Sequence, residues 1–385
     1  MGSRSGEVAG VTGRAWRLLV AASVACLAVA GCASDDGRSA GTTTVATTAA
    51  KDTASTSAET PPEAAAPEAA SAVAARRGPS AGCVAPSPAA PGSTEVHFDA
   101  AGTDRWYLQR IPAAYDGSTP LPLVVDIHGY AEGAVLHSQM SAFGELGEQE
   151  GFITVFPHGQ GSPPHWNANL GTDDTEVLGT LLDRVEAELC IDLARVYVAG
   201  FSNGAFMTSV LACEYAERIA AVAPLAGMRD VPGCEPARAV PAITFHGTVD
   251  DFVLYDGGFG AAAASLPAPN GSGETLGELG AESDENTAIV PGSMDQNIPD
   301  ITAAWARRNG CGAEPAETSV AADVVLVDFD CPVGADLQLY RVVDGGHTWP
   351  GSQLSASLEA VMGRTTNSID ATATIWEFFS RNSLG

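Results

Sequence analysis

Arg195-Val196-Tyr197-Val198-Ala199-Gly200-Phe201-Ser202-Asn203-Gly204 is the stretch on which the fold turns. Val196–Ala199 has the length and composition of a buried strand, and Ala205–Ala216 continues with apolar residues at helical spacing. Between them stands a Gly-x-Ser-x-Gly turn, whose glycines remove steric bulk and leave the Ser202 hydroxyl exposed. The turn also sets Ser202 at a helix N-terminus, where backbone N–H groups face developing negative charge. The five residues alone occur by chance in many chains. The strand before them and the helix after them give the pattern a catalytic meaning.

Outward from this turn, short apolar runs recur at Leu121–Ile127, Phe152–Phe156, Ile219–Ala223, Ala242–Phe245, Val324–Val327 and Leu337–Val343. Helical patterns cover Asp174–Leu189 and a C-terminal segment around Ile375-Trp376-Glu377-Phe378-Phe379. Strands alternating with helices predict an α/β protein built on a doubly wound sheet. Gly257–Gln296, rich in Gly, Ala, Ser and acids, interrupts the alternation. An irregular insertion of that length is expected to be a lid, a binding loop or disordered, its composition predicts mobility, and its start shortly after Asp250 places it at the mouth of a cleft.

A serine needs a base, and the base an acid; in this arrangement they follow in the order Ser, Asp or Glu, His. Only His246 and His347 follow Ser202. His347 lies in a Gly-rich loop, Asp344-Gly345-Gly346-His347-Thr348-Trp349-Pro350, just past an expected strand, and is the candidate base. His246 sits too close to its own strand and reads as structural. Asp250, on the loop after Ala242–Phe245, is the favoured acid, with Asp251 its nearest competitor and Asp256 and Asp344 also open. The oxyanion hole needs two backbone donors: Asn203, after the serine, and Tyr130 after Leu121–Ile127, with Gly129 as alternative. His128 is expected to orient that loop. Trp166, Asn167 and Trp349 are the candidate substrate contacts.

The composition bounds the setting. With 19 Lys+Arg against 47 Asp+Glu the formal charge is −28, which repels phosphate backbones and makes nucleic-acid binding improbable. Residues 1–31 read as a signal peptide: Arg4, Arg14 and Arg17, then the apolar run Leu18–Ala30. Val29-Ala30-Gly31-Cys32 resembles a lipobox, so Cys32 is the expected lipidation site and the outer leaflet of the membrane the expected contact; extracellular release is the alternative. Residues 32–82, without an aromatic residue, are expected to form a disordered Ala/Thr/Ser/Pro-rich tether to a catalytic domain over 83–385. Six cysteines remain beyond the signal, an even count that points to disulfides in an exported chain. Fifteen pairings are open; local spacing favours Cys213–Cys234 and Cys311–Cys331, leaving Cys83–Cys190. No CxxC or HxxxH spacing suggests a metal, and neither metal nor cofactor is expected.

These residues together resemble the secreted esterase family that includes extracellular polyhydroxybutyrate depolymerases, feruloyl esterases and acetylxylan esterases. The likeness rests on Pro122-Leu123-Val124-Val125 with His128-Gly129, Trp166-Asn167-Ala168, Arg195–Gly204, Ala220-Ala221-Val222-Ala223-Pro224, His246-Gly247-Thr248-Val249-Asp250, Trp305 with Asn309-Gly310-Cys311, and Gly345-Gly346-His347-Thr348-Trp349-Pro350-Gly351. It implies an α/β-hydrolase fold, a Ser202–Asp250–His347 triad and a monomeric carboxylic ester hydrolase working through an acyl-enzyme on a polyester, plant cell-wall ester or small ester. The chain departs from the polyhydroxybutyrate depolymerases at Tyr130, where they carry cysteine, and over Asp251-Phe252-Val253-Leu254-Tyr255. Two other readings stay open: acyl transfer to cell-envelope glycans, and a non-catalytic substrate-binding lipoprotein.

Overall fold

The computed structural model describes residues 78–84, 89–279 and 296–385. The signal, Cys32, most of the tether and residues 280–295 of the insertion lie outside the described residues. Ten strands are described: β1 Gly92–Ala100, β2 Thr103–Ile111, β3 Leu121–Ile127, β4 Ile153–Pro157, β5 Ile191–Phe201, β6 Ala221–Leu225, β7 Ala242–Gly247, β8 Ala316–Ala321, β9 Val324–Asp328 and β10 Leu337–Val342. They form one sheet in the order β1-β2-β4-β3-β5-β6-β7-β10-β9-β8. The central strands from β4 to β10 run parallel, and antiparallel strands extend both edges.

Parallel strands are buried on both faces, which is why their sequences read as continuous apolar runs. Successive β5 side chains serve opposite cores: Val196 and Val198 one, Tyr197, Ala199 and Phe201 the other. The first core is closed by α3 (Asp173–Glu188), α4 (Asn203–Glu214) and α7 (Ile298–Asn309), through residues such as Leu181, Phe206 and Ile301. The second is closed by α1 (Gly133–Ser141), α2 (Phe143–Glu150) and α10 (Ala371–Ser380), through Met140, Phe143 and Phe378. Between α4 and α7 lie short helices α5 (Ala261–Ala264) and α6 (Leu276–Leu279), and before α10 come α8 (Gln353–Ser357) and α9 (Glu359–Met362). The doubly wound sheet with helices on both faces agrees with the strand–helix alternation of the sequence.

β3 lies between β4 and β5, so the chain reverses its direction of travel across the sheet at β3/β5. The carboxyl ends of strands flanking such a reversal splay apart and leave a crevice. Ser202 follows β5 and Tyr130 lies just beyond β3, which puts both at that crevice.

At the other edge of the sheet, the chain joins the domain before the expected boundary at Cys83. Pro79 bridges Asp192, the Ser80 N–H donates to the Ile191 carbonyl at 2.8 Å, and the Ser80 hydroxyl donates to the Leu189 carbonyl at 2.6 Å. Cys83 then bonds Cys190, immediately before β5. Cys213–Cys234 and Cys311–Cys331 also form, the pairing that local spacing favoured.

Candidate active site

The elbow around Ser202 is strained in the way its sequence requires. Ser202 has φ 55° and ψ −120°, a conformation that L-residues rarely hold and that costs about 1–3 kcal/mol. Its two glycines are sterically obligatory. A methyl group at Gly204 would fall on the Ile127 carbonyl oxygen, and one at Gly200 would lie 2.5 Å from the Gly204 carbonyl oxygen and the Thr208 hydroxyl.

The structure brings His347 and Asp250 together at the same edge. His347 Nδ1 lies 2.7 Å from Asp250 Oδ2, and both residues are buried. Asp250 Oδ1 accepts the N–H groups of Phe252 at 2.8 Å and Val253 at 3.0 Å. Burial would raise the Asp250 carboxyl, but the facing His347 and these donors outweigh it and hold it below its ordinary value. An ionised carboxylate only accepts, so the proton belongs on His347 Nδ1, leaving Nε2 bare. Asp251 is exposed and has no such contacts, which separates it from its neighbour. Ser202 Oγ forms no hydrogen bond among the described residues; such pairings are often loose before a substrate binds.

Two aromatic rings pack against His347. Phe252 stacks on it with centroids 4.8 Å apart, and Phe201 lies 4.7 Å away. Phe201 was not singled out in the sequence, whereas Phe252 lies in the stretch Asp251–Tyr255 where the chain departs from the family pattern. His246 is buried, donates from Nε2 to the Val253 carbonyl at 2.8 Å, and is kept below its ordinary value by burial, so it supports the Asp250 loop as a neutral ring.

On the opposite side of the crevice, the backbone N–H groups of Tyr130 and Asn203 make no hydrogen bond among the described residues, whereas Gly129 N–H donates to Glu132 Oε2 at 2.7 Å. That leaves Tyr130 rather than Gly129 available as a donor. His128 Nε2 accepts the Gly159 N–H at 2.8 Å, so its Nδ1 carries the proton and donates to the Gly129 carbonyl at 2.7 Å. Burial drives the His128 imidazole down to about 3, so it orients the loop as a neutral ring.

Two of the expected substrate contacts are corrected. Trp166 is 0% exposed: its indole N–H donates to the His128 carbonyl at 3.0 Å, and its backbone is clipped by both ends of the Asn203 amide. It braces the loop after β3 against the elbow. Trp349 is 1% exposed, bonded to the Thr372 hydroxyl and packed among Phe143, His137 and Phe201. A large ring with a single polar atom is most stable when that atom is satisfied inside the core, and both tryptophans achieve this. Asn167 is half-buried and lines an open groove of about 510 Å³ with Arg105, Gln160, His165 and Asp173.

The described part of the insertion is folded, against the expectation of a mobile segment. Its stem is paired to the acid loop, Gly260 N–H to the Phe252 carbonyl and Ala262 N–H to the Asp251 carbonyl. Ala263, Ala268 and Leu276 are buried, and apolar burial offsets the ordering cost that its composition alone would not. Pro267 accepts the Tyr130 hydroxyl at 2.6 Å, so the insertion reaches from the loop after β7 to the loop after β3.

Behind the loop that follows β3 lies a buried charge cluster with no motif in the sequence to announce it. His137, on α1, places Nε2 at 2.9 Å from Asp126 Oδ1 and Nδ1 at 3.0 Å from Glu132 Oε1. Burial alone would lower the His137 imidazole, but the two carboxylates outweigh it and push it up to about 10. A folded-state value above the ordinary 6.5 contributes stability that is fully present below pH 6.5 and is lost as pH rises through about 10. The urea midpoint should therefore decline between pH 7 and pH 10, and decline less in His137→Gln. Equal declines in the two proteins would remove His137 as the cause.

Among the described residues no group of three His, Cys, Asp or Glu side chains is arranged to hold a metal ion. Fold and site together define an α/β-hydrolase: an elbow serine after β5, an acid after β7 and a histidine after β10, all at the carboxyl edge of the sheet. In sequence the chain is similar to feruloyl esterases and acetylxylan esterases. It is 26% identical over 253 residues to feruloyl esterase B of Piromyces equi, covering 63% of this chain and 42% of that protein. It is 33% identical over 134 residues to the bifunctional acetylxylan esterase/xylanase of Neocallimastix patriciarum, covering 35% of this chain and 20% of that one. The chain thus spans less than half the length of both. With a probable feruloyl esterase C of Aspergillus terreus it shares 29% identity over 187 residues, 45% of this chain and 68% of the other. Among solved structures, an acetyl xylan esterase from Aspergillus awamori matches with a TM-score of 0.47 at 18% identity, over 67% of this chain and 94% of that one. No family model matches the chain.

Proposed function

We propose that the chain is an exported serine carboxylic ester hydrolase. The observation that carries this reading is the buried His347–Asp250 pair, held at 2.7 Å on the same sheet edge as the strained Ser202 elbow. Ser202 Oγ attacks the ester carbonyl while its proton passes to His347 Nε2. Asp250 holds the ring and stabilises the imidazolium. The oxygen of the tetrahedral intermediate receives the Tyr130 and Asn203 N–H groups. His347 returns the proton to the departing alcohol, and water then cleaves the acyl-enzyme by the same steps. The relatives named as feruloyl and acetylxylan esterases favour plant cell-wall esters as substrates, with polyesters of hydroxybutyrate the narrower alternative. Three disulfides favour an oxidising compartment, and the Val29–Cys32 motif favours a lipid anchor there.

Rates should be compared across acetyl, butyryl, feruloyl and hydroxybutyrate-oligomer esters, alongside labelling by a fluorophosphonate and mapping of the labelled peptide. The expected result is one label, at Ser202, and hydrolysis of at least one ester class that the label abolishes. A folded protein that hydrolyses none of the four and leaves Ser202 unlabelled is a binding protein, and the reading fails.

A further inference from the structure

The peptide unit between Gly129 and Tyr130 is gripped from several sides. Its carbonyl oxygen accepts His128 Nδ1–H at 2.7 Å and the Glu132 N–H at 3.2 Å. The N–H of Gly129, one peptide earlier, donates to Glu132 Oε2 at 2.7 Å. In a trans peptide the N–H points opposite to the C=O, so fixing the Gly129 oxygen fixes the direction of the Tyr130 N–H. Glu132 therefore holds this turn through both its backbone and its side chain.

Its carboxylate is held in turn. Glu132 Oε1 faces His137 Nδ1 at 3.0 Å, and His137 Nε2 is anchored on Asp126 Oδ1, a residue of β3, at 2.9 Å. The side chains of Asp126 and His137 are fully buried and that of Glu132 is 7% exposed. An acceptor-only carboxylate is the one side chain of this length that can receive both the Gly129 N–H and the His137 N–H. Among the described residues Asp126 Oδ2 has no hydrogen-bond partner, so the cluster carries a desolvation cost.

We infer that Glu132, clamped by His137 and Asp126, is the positioning residue of the oxyanion-binding loop, setting the Tyr130 N–H toward the oxygen that becomes negative in the transition state. This rests on the ester-hydrolase reading and adds to it a chain of residues that touch no substrate. A donor turned away from the oxyanion is a donor lost in the transition state only, so the effect belongs to kcat.

The test is Glu132→Gln, which keeps the shape but sets an amide N–H2 against one of the two N–H donors. With 4-nitrophenyl acetate, and active sites counted by exhaustive fluorophosphonate labelling, kcat should fall about 10–100-fold with KM changed less than about threefold. The inhibition constant of a trifluoromethyl ketone, which forms a tetrahedral adduct with the serine, should rise by the same factor as kcat falls, while that of the product acid stays put. If Glu132→Gln does not fold, His137→Gln, which leaves Glu132 in place but unclamped, should show the same pattern at smaller amplitude. A folded variant with kcat and the ketone constant within twofold of wild type, whatever its melting temperature, overturns the positioning role. A wild-type protein that is neither labelled nor active refutes the ester-hydrolase reading itself, and this inference with it.

Discussion

Ser202→Ala and His347→Ala should each lower kcat on an activated acetyl ester by about 10⁴–10⁶-fold, and the double variant should be no slower than the worse single one. Members of a triad act as a unit: without the serine the base has no proton to take, and without the base the serine is not activated. What survives is the contribution of the oxyanion donors and of substrate binding. Neither change should disturb the fold. Alanine tolerates φ 55° no worse than serine does, and the His347 backbone is held independently by its N–H to the Met362 carbonyl at 2.7 Å. Active-site-titrated kinetics with matched melting curves check this. Retention of more than about a tenth of the wild-type rate in either folded variant would mean that the elbow is not the nucleophile site.

Asp250→Asn should cost about 10³–10⁴-fold in kcat, while Asp251→Asn should stay within about twofold of wild type. Asp250 accepts three N–H groups, those of His347, Phe252 and Val253. An asparagine there offers one oxygen and an N–H2 group, so either the backbone turn or the imidazole meets a donor. If the imidazole does, it takes the other tautomer and Nε2 can no longer accept the serine proton. Asp251 is exposed, and the part of it that the structure uses is its backbone carbonyl, which Ala262 engages. The reverse order of effects, Asp251 essential and Asp250 dispensable, would move the acid by one residue.

The elements legible in the sequence are those whose physics leaves a simple pattern. β3, β5 and β7 are buried over most of their length, so each carries a short apolar run: Leu123–Val125, Val196–Ala199 and Ala242–Ile243. β1 was not read because only Phe98 and Ala100 are buried in it; a strand exposed along most of its length carries no apolar run. α1 escaped because its helical pattern is diluted by Gly133, Ser138 and Ser141, which are buried on account of tight packing rather than apolarity. At the site, Ser202, Asp250 and His347 stood out because an elbow and a chain order make a recognisable pattern. Trp166 and Trp349 were misread for a reason of direction: sequence marks a tryptophan beside a catalytic loop but does not say which way its ring turns. Glu132, His137 and Asp126 offered nothing to recognise, because their relation exists only once α1 packs beside the end of β3.

The hook formed by Pro79, Ser80 and Cys83 fastens the chain beside the first residues of β5, whereas Ser202 stands past the last residue of the same strand. The eleven residues of β5 separate the two by about 35 Å at roughly 3.3 Å each. Force or attachment arriving through the preceding residues would therefore enter the domain at the pole opposite to the one that meets substrate. A pull entering there would be borne by the Cys83–Cys190 bond and the central strand rather than by the loops of the crevice.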